Sequence, residues 1–167
     1  MKFRKAVKSD INSIMNIIQG AQSYFKAQGI NQWQNNYPNY ETISSDIENG
    51  YGYVLLKNNM IIGTVAIVFD GEETYNSIYN GSWLSNGEYT TIHRIAVDTS
   101  HKGLGIASTI LKNIEEMSLR RGIRSIRVDT HEKNISMIKF LEKNGFQHCG
   151  IIYLKDKSQR IAFEKIL

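Results

Sequence analysis

The chain has 167 residues, of which 41% are hydrophobic and 22% charged, and a formal net charge of +4; this composition is that of a globular protein long enough to bury a core in one domain. Its basic residues are spread along the sequence rather than gathered in a stripe with aromatic residues, which argues against nucleic-acid binding. The longest apolar stretch, Met60 to Phe69, is about half the length needed to cross a bilayer, so no membrane span is expected.

The N-terminal residues and the cysteine content indicate where in the cell the protein is expected. Met1–Lys5 lead into Ser9 and Asp10 rather than into a long apolar segment, so export is not expected. Cys149 is the only cysteine, which rules out an intramolecular disulfide and favours the reducing cytoplasm.

Apolar spacing and turn residues predict the elements of the first half. Ser9 and Asp10 offer an N-cap for a helix whose apolar residues recur at helical spacing until about Gly29. Asn58 and Asn59 join two apolar runs, which is typical of a hairpin with a two-residue turn. In chain order the predicted elements are a strand at 2–7, this helix, an ordered loop at 30–40, a helix at 41–48 and strands at 51–57 and 60–69.

The second half of the sequence predicts a strand–helix–strand crossover followed by two C-terminal strands, called the closing strands below. The elements after a polar loop at 70–87 are strands at 89–97, 124–130, 146–154 and 160–166, a helix that stops at Gly122, and a helix that Asn134 caps and that runs to Asn144. The first of these helices is expected to carry on one face Leu104, Ala107, Leu111 and Ile114. Antiparallel strands followed by a crossover predict an α/β (α+β) fold with a mixed sheet, in a single domain at 1–167.

The segment that opens the first helix of the crossover carries the strongest functional signal. Lys102, Gly103 and Gly105 lie between a predicted strand and a predicted helix. A helix start exposes unpaired backbone N–H groups and the positive end of a dipole, so it can seat phosphates. A glycine has no Cβ, which lets a ligand approach the backbone, and Lys102 adds positive charge.

Two other phosphate-binding motifs fit this segment poorly. No glycine is followed after four residues by Gly-Lys-Ser/Thr, which excludes a P-loop. A dinucleotide turn would follow its strand directly, whereas five residues separate Val97 from Gly103. The hairpins on either side also break the alternating parallel pattern of such folds.

Two motifs resemble the GNAT N-acetyltransferase superfamily. Its signature at the start of a central helix is Arg or Gln, two residues, Gly, one residue, then Gly or Ala; Lys102 replaces the Arg or Gln, while Gly105 and Ala107 match. Downstream, residues 134–146 are similar to the family's Asn-x-x-Ala-x-x-Leu-Tyr-x-x-x-Gly-Phe segment. In that segment the Asn, Gly and Phe match, whereas Met137, Phe140 and Leu141 replace Ala, Leu and Tyr. The resemblance covers essentially the whole chain and implies a mostly antiparallel sheet of six to seven strands flanked by about four helices.

The resemblance implies acetyl-CoA as the donor and a primary amine, on a small molecule or a peptide or protein, as the acceptor. The CoA diphosphate would lie on the N–H groups of the turn, and the pantetheine arm would pair with the main chain of Ile95 and Val97. The predicted cofactor-binding residues are Ile95, Ala96, Val97, Lys102, Gly103, Leu104, Gly105, Ile106, Ala107, Ser108, Asn134 and Phe140.

The catalytic candidates also follow from the resemblance. His93 stands where family members place Glu or His, and period-two alternation puts it on one face with Thr91, Ile95 and Val97, so it is the candidate base. Leu141 replaces the tyrosine that many members use to protonate the CoA sulfur. Either the thiolate leaves with solvent help or another group replaces the tyrosine. His131 and Tyr153 are the candidate substitutes, against the alternatives of a surface histidine and a packed tyrosine.

Several further expectations complete the analysis. No His or Cys pair has a recognised ligand spacing, so no metal is expected. Aromatic residues in the two acceptor-recognition segments either wall the acceptor pocket or join the core: Trp33, Tyr37, Tyr40, Tyr75, Tyr79 and Trp83. The missing tyrosine at Leu141 leaves open a non-catalytic module that binds acyl-CoA and regulates a partner. The two closing strands could pair across a homodimer.

Overall fold

The computed structural model describes all residues, Met1–Leu167. Its strands are β1 (Lys2–Lys5), β2 (Gly52–Lys57), β3 (Met60–Val68), β4 (Thr90–Val97), β5 (Ser125–Thr130), β6 (Gln147–Tyr153) and β7 (Gln159–Ile166). Its helices are α1 (Ile11–Ala27), α2 (Tyr40–Glu48), α3 (Ile106–Arg120) and α4 (Ile135–Lys143), with short 3₁₀ turns at Lys8–Asp10, Glu73–Tyr75 and Thr99–His101.

The strands form a seven-stranded mixed sheet in the order β1-β2-β3-β4-β5-β7-β6. The pairs β1–β2, β2–β3, β5–β7 and β6–β7 are antiparallel. The parallel ladder between β4 and β5 contains two residue pairs, Thr90 with Ile126 and Thr91 with Arg127, while β4 runs on to Val97. These findings confirm the predicted fold class, including the mixed sheet and the four helices.

By density of contacts the chain divides into two compact units. The first unit comprises 1–67 and 93–114, and the second comprises 68–92 and 115–167. The prediction of a single domain at 1–167 stays a prediction. Pairing of the closing strands across a homodimer also stays one. In the second unit Tyr79 forms an isolated antiparallel bridge with Ile151 of β6.

The core of the first unit lies where α1 and α2 cover the sheet. Its buried members are Ala6, Ile11, Ile14, Ile17, Ile18, Ile43, Val54 and Ala96. The hairpin between β2 and β3 forms as predicted, because Asn58 and Asn59 take the positive φ values of 49° and 63° that a two-residue turn requires. The predicted N-cap differs, since the Asp10 carboxylate accepts the Val7 N–H and binds Arg4 rather than capping α1.

The second unit buries a polar network beside its apolar core. Tyr75, Ile152 and Ala162 form the apolar cluster. Glu164, fully buried, accepts hydrogen bonds from the Leu84 N–H at 2.5 Å and from the hydroxyls of Ser85 and Ser125. The bonds from Leu84 and Ser85 tie the loop that precedes β4 to β7, and the bond from Ser125 joins β5 to β7. Together they satisfy a carboxylate that burial would otherwise penalise.

Candidate functional site

The glycine segment of the first unit begins at a turn that a carboxylate organises. The Asp98 carboxylate accepts the Ser100 N–H at 3.2 Å and lies 2.8 Å from Nδ1 of His101. Hydrogen bonds from Ser100 and His101 lower the pKa of Asp98 below its usual range. This carboxylate therefore holds the 3₁₀ turn in place and stays ionised at neutral pH.

Gly103 and Gly105 then redirect the chain into α3. Both are left-handed, with φ of 77° and 75°, a conformation that favours glycine. A Cβ at either position would meet no atom within 4 Å, so both glycines border open space. Glycine is favoured at these two positions by the positive φ and not by a lack of space for a side chain.

The first turn of α3 leaves backbone donors at this space. The Thr109 N–H donates to the Gly105 carbonyl at 3.0 Å, which makes Gly105 the residue before the first helical turn. The N–H groups of Ile106, Ala107 and Ser108 precede that bond and have no intrahelical acceptor. Three N–H groups at the positive end of a helix, facing two glycines, fit an anion such as a diphosphate.

Two of the predicted cofactor-binding residues, Lys102 and Leu104, lie at this turn in different surroundings. The Lys102 ammonium lies 3.8 Å from the centre of the Tyr24 ring on α1, a cation–π contact that holds the charge beside the loop. Gly20 lets α1 approach the turn, because a Cβ there would lie 3.2 Å from the Thr99 methyl group. Leu104 is not on the apolar face of α3 as predicted: it precedes the helix and is 63% exposed. Its place on that face is taken by Ile106 and Ile110, both buried.

The strand that leads to this turn contains an irregularity that the sequence does not signal. Arg94, in the middle of β4, has a φ of 51°. A left-handed residue interrupts the period-two alternation of a strand. The predicted common face of Thr91, His93, Ile95 and Val97 is therefore wrong beyond His93. Thr91 is buried, whereas His93, Ile95 and Val97 are half-buried and Ala96 is buried.

The Arg94 side chain forms a buried ion pair that sequence reasoning missed. Its Nε and one terminal nitrogen donate to the two Asp46 oxygens at 2.8 and 2.6 Å, and its other terminal nitrogen donates to the Tyr37 hydroxyl at 2.9 Å. The side chains of Arg94 and Asp46 are 16% and 10% exposed. No local sequence pattern links residues so far apart, and only a folded α2 brings them together.

In the second unit, two of the predicted residues lie at the start of α4. Nδ1 of the half-buried His131 accepts the Lys133 N–H at 3.1 Å. Burial and the nearby Arg160 lower the pKa of His131, so the ring is neutral at pH 7. Asn134 is 5% exposed and accepts the Met137 N–H at 3.2 Å, which confirms it as the N-cap of α4.

The residues along α4 and at the end of β6 differ in burial. Phe140 is half-buried, and Leu141 is 1% exposed and belongs to the core. Tyr153 is 45% exposed and packs edge-on against Tyr79, with ring centres 5.4 Å apart. A shallow cavity of about 250 Å³ lies beside these two rings and is also lined by Glu73, Thr74, Ser77 and Lys155.

The aromatic residues of the two loops divide between core and surface. Tyr75 is buried, and Trp83 packs against it and against the Arg127 guanidinium. Trp33 packs edge-on against Phe25 of α1. Tyr37, Tyr40 and Tyr79 are exposed. The first three are therefore explained by packing, and the exposed ones remain candidates for acceptor contact.

Two general features complete the description. The structure contains no group of three or more His, Cys, Asp or Glu side chains placed to hold a metal ion. None of its helices combines the length and the apolar character that a membrane span requires.

Comparisons with known proteins identify the class. Residues 14–146 match the model of the acetyltransferase (GNAT) family. The structure is similar to a GNAT-family acetyltransferase from Streptococcus agalactiae, with 37% identity over 99% of this chain and 95% of that chain and a TM-score of 0.90. It is also similar to a Staphylococcus aureus protein, with 26% identity over 99% of both chains and a TM-score of 0.75.

A more distant structure shares the fold. The NatC complex bound to Gag peptide and CoA contains a chain with 15% identity over 99% of this chain and 98% of that chain, at a TM-score of 0.70. A comparison with proteins of curated function finds no match. The fold and the family match together support the acyltransferase class. The chain belongs to the GNAT acetyltransferase family.

Proposed function

We propose that this protein transfers an acetyl group from acetyl-CoA to a primary amine of a small molecule, a peptide or a protein. The observation that carries the proposal is the start of α3. There, two left-handed glycines border open space in front of three N–H groups with no intrahelical acceptor. Such an arrangement selects an anion that lies against the backbone, and the CoA diphosphate is the anion that this family's donor carries.

The donor would extend from this turn along β4. Lys102 supplies positive charge beside the phosphates, and Gly103 and Gly105, on either side of Leu104, let them approach the main chain. Because the parallel ladder ends at Thr91, it does not use the main chain of Ile95 and Val97, which can pair with the pantetheine amides as an added strand does. We place Ala96, Asn134 and Phe140 among the residues that contact the donor.

The reaction we propose is direct attack of the amine on the thioester. The amine lone pair forms the C–N bond, the C–S bond breaks, and the CoA sulfur leaves with the electron pair. A free alkylamine has a pKa of about 10.4 and is charged at neutral pH, so a base that removes its proton is needed. We assign this role to His93, which lies in β4 next to the segment proposed to hold the thioester.

Leu141 is buried and has no polar atom, so the leaving sulfur takes its proton from another side chain or from solvent. Nδ1 of His131 accepts the Lys133 N–H, so the neutral ring carries its proton on Nε2, where it can serve as a donor. Tyr153 is the second candidate, with its phenol at the surface. The two are distinguishable, since H131A and Y153F each remove one donor.

The same buried Leu141 supports a second function, a regulatory module that binds acyl-CoA without transferring the acyl group. Release of free thiol from acetyl-CoA, followed across a panel of primary amines, decides between the two functions. An enzyme releases CoA faster with at least one amine than with buffer alone, and H93A lowers that rate by about 10²–10⁴-fold. Rates equal to background with every amine would refute acetyl transfer to amines.

The donor site is tested separately, by calorimetric titration with acetyl-CoA. G105E places a negative charge and a strained backbone at the start of α3 and is expected to abolish binding. G122E is the matched control, because Gly122 follows the same helix with the same φ of 75° and the same open surroundings. G122E should bind acetyl-CoA as the wild type does, and unchanged binding by G105E would contradict the donor assignment.

A further inference from the structure

Arg94 in β4 has a left-handed backbone conformation that its residue type does not favour. Arginine rarely adopts a positive φ, because its Cβ then crowds the following carbonyl. Elsewhere in the chain most residues with positive φ are Asn or Gly in turns. Arg94 is instead inside a strand, so the surrounding tertiary structure must maintain this conformation.

Two elements of the first unit meet the Arg94 guanidinium, α2 and the loop that carries Tyr37. Asp46 on α2 takes a two-point hydrogen bond from it, and the Tyr37 hydroxyl takes a third. The loop that carries Tyr37 is itself fixed to α1, since Gln22 Nε2 donates to the carbonyls of Tyr37 and Pro38 at 2.9 and 3.0 Å. With a side chain only 16% exposed, Arg94 gains from these acceptors, and Asp46 supplies the carboxylate that balances its charge.

We infer that Asp46 is a positioning residue: through its ion pair it holds Arg94 left-handed and thereby sets the direction of the next peptide N–H, that of Ile95. This inference rests on the proposed function and adds one step to it: the Ile95 N–H polarises the acetyl carbonyl as negative charge develops on its oxygen, while the Ile95 carbonyl is the group that pairs with the pantetheine. A donor of this kind acts only when it is already aligned with that oxygen. The carboxylate on α2 thus acts on the reaction through Arg94 and touches neither substrate.

Substitutions at position 94 can separate the effect of the backbone conformation from the effect of the ion pair. If the ion pair serves to impose the left-handed conformation, glycine at position 94 makes the pair dispensable, because glycine adopts a positive φ without strain. Alanine at the same position loses the pair and disfavours a positive φ, so the left-handed conformation is no longer maintained. The informative comparison is therefore R94G/D46A with R94A/D46A, since both lack the ion pair and neither leaves an unpaired charge behind.

We expect R94G/D46A to retain a kcat at least about tenfold above that of R94A/D46A, with the KM for acetyl-CoA changed less than about twofold, because the aligned N–H acts in the transition state. Thermal unfolding provides a readout independent of activity. The R94G/D46A midpoint should lie about 2–8 °C above that of R94A/D46A, since glycine adopts the native positive φ without strain and alanine does not.

The matched control is the other two-point Arg–Asp pair of the first unit, Arg4 with Asp10, at 2.7 and 3.0 Å. Arg4 lies in β1 and has no positive φ. At this pair R4G/D10A should unfold at a lower temperature than R4A/D10A, because glycine weakens a regular strand. Glycine in place of alanine should thus raise the unfolding midpoint at position 94 and lower it at position 4. The kcat values of R4G/D10A and R4A/D10A should be equal.

Each outcome decides one point. An active wild type with equal kcat for R94G/D46A and R94A/D46A would overturn the positioning role while leaving acetyl transfer intact. A lower unfolding midpoint for R94G/D46A than for R94A/D46A would overturn the claim that the ion pair imposes the conformation. A wild type that transfers acetyl to no amine would refute the proposed function, and the positioning role with it.

Discussion

The Tyr75 hydroxyl donates a hydrogen bond of 2.6 Å to the Asp129 carboxylate, which connects the loop before β4 to the end of β5. Tyr75 is 1% exposed, and its main-chain carbonyl also accepts the indole N–H of Trp83 at 2.8 Å. Burial, together with Asp129, raises the pKa of Tyr75 well above its ordinary value. The phenol is therefore protonated, and remains a donor, throughout the physiological pH range.

Replacing this phenol should destabilise the protein measurably. Y75F leaves the Asp129 carboxylate without the Tyr75 hydroxyl, and we expect the free energy of unfolding in urea to fall by about 1–3 kcal/mol. Y79F, at a tyrosine that is 51% exposed, is the control and should change it by less than about 0.5 kcal/mol. Equal losses for the two variants would mean that the bond to Asp129 contributes no net stability.

Acid sensitivity is expected at the buried Glu164. Burial raises the pKa of this carboxyl, but hydrogen bonds from Ser125, Ser85 and the Leu84 N–H outweigh the burial and lower the pKa overall. A carboxyl with a lower pKa in the folded state stabilises the fold above its unfolded pKa, about 4.3. That contribution is lost as the pH falls through the folded value.

The substitution E164Q should therefore reduce stability at pH 7 and flatten its decline as the pH falls below the unfolded pKa of about 4.3. Urea unfolding at a series of pH values measures both effects. E116Q serves as the control, because Glu116 is 52% exposed and forms a surface ion pair with Arg120 at 3.5 Å. Such exposed pairs contribute little to stability. A decline as steep in E164Q as in the wild type would show that other groups account for the acid sensitivity.

The protonation of His131 should respond to Arg160. Burial is the larger cause of its lowered pKa, and the positive charge of Arg160 adds to it. R160Q removes that charge, stabilises the imidazolium and should move the pKa of His131 upward. An NMR titration of the histidine ring protons measures this change, with R124Q, at an arginine not among the causes of the His131 shift, as the control. A pKa that falls or does not move in R160Q would contradict the assignment.

The close approach of β3 to α3 depends on Gly63. A Cβ at this position would lie 2.7 Å from Cδ1 of Ile110, and Ile110 is fully buried. G63A should lower the free energy of unfolding by about 1–3 kcal/mol through overpacking. Valine at position 110 lacks the clashing methyl group, so G63A should cost less in an I110V background. A double-mutant cycle measures this coupling, and additive effects would contradict the contact.

Much of the fold follows from patterns that extend over a few residues. The turn at Asn58 and Asn59, the cap at Asn134 and the glycines before α3 each satisfy a local backbone requirement, and for that reason sequence inspection located them. The alternation through β4 failed for the opposite reason. Arginine has no preference for a positive φ, so Arg94 gives no local sign that the strand is irregular there.

The sequence by itself determined the family, the order of the elements and the position of the glycine turn, because spacing and residue type express these properties directly. Only the tertiary structure decided which side chains meet. The pairs Arg94–Asp46 and Tyr75–Asp129 join residues far apart in the chain. Such contacts depend on how helices and loops pack against the sheet, and that packing results from the burial of many side chains together rather than from any single segment.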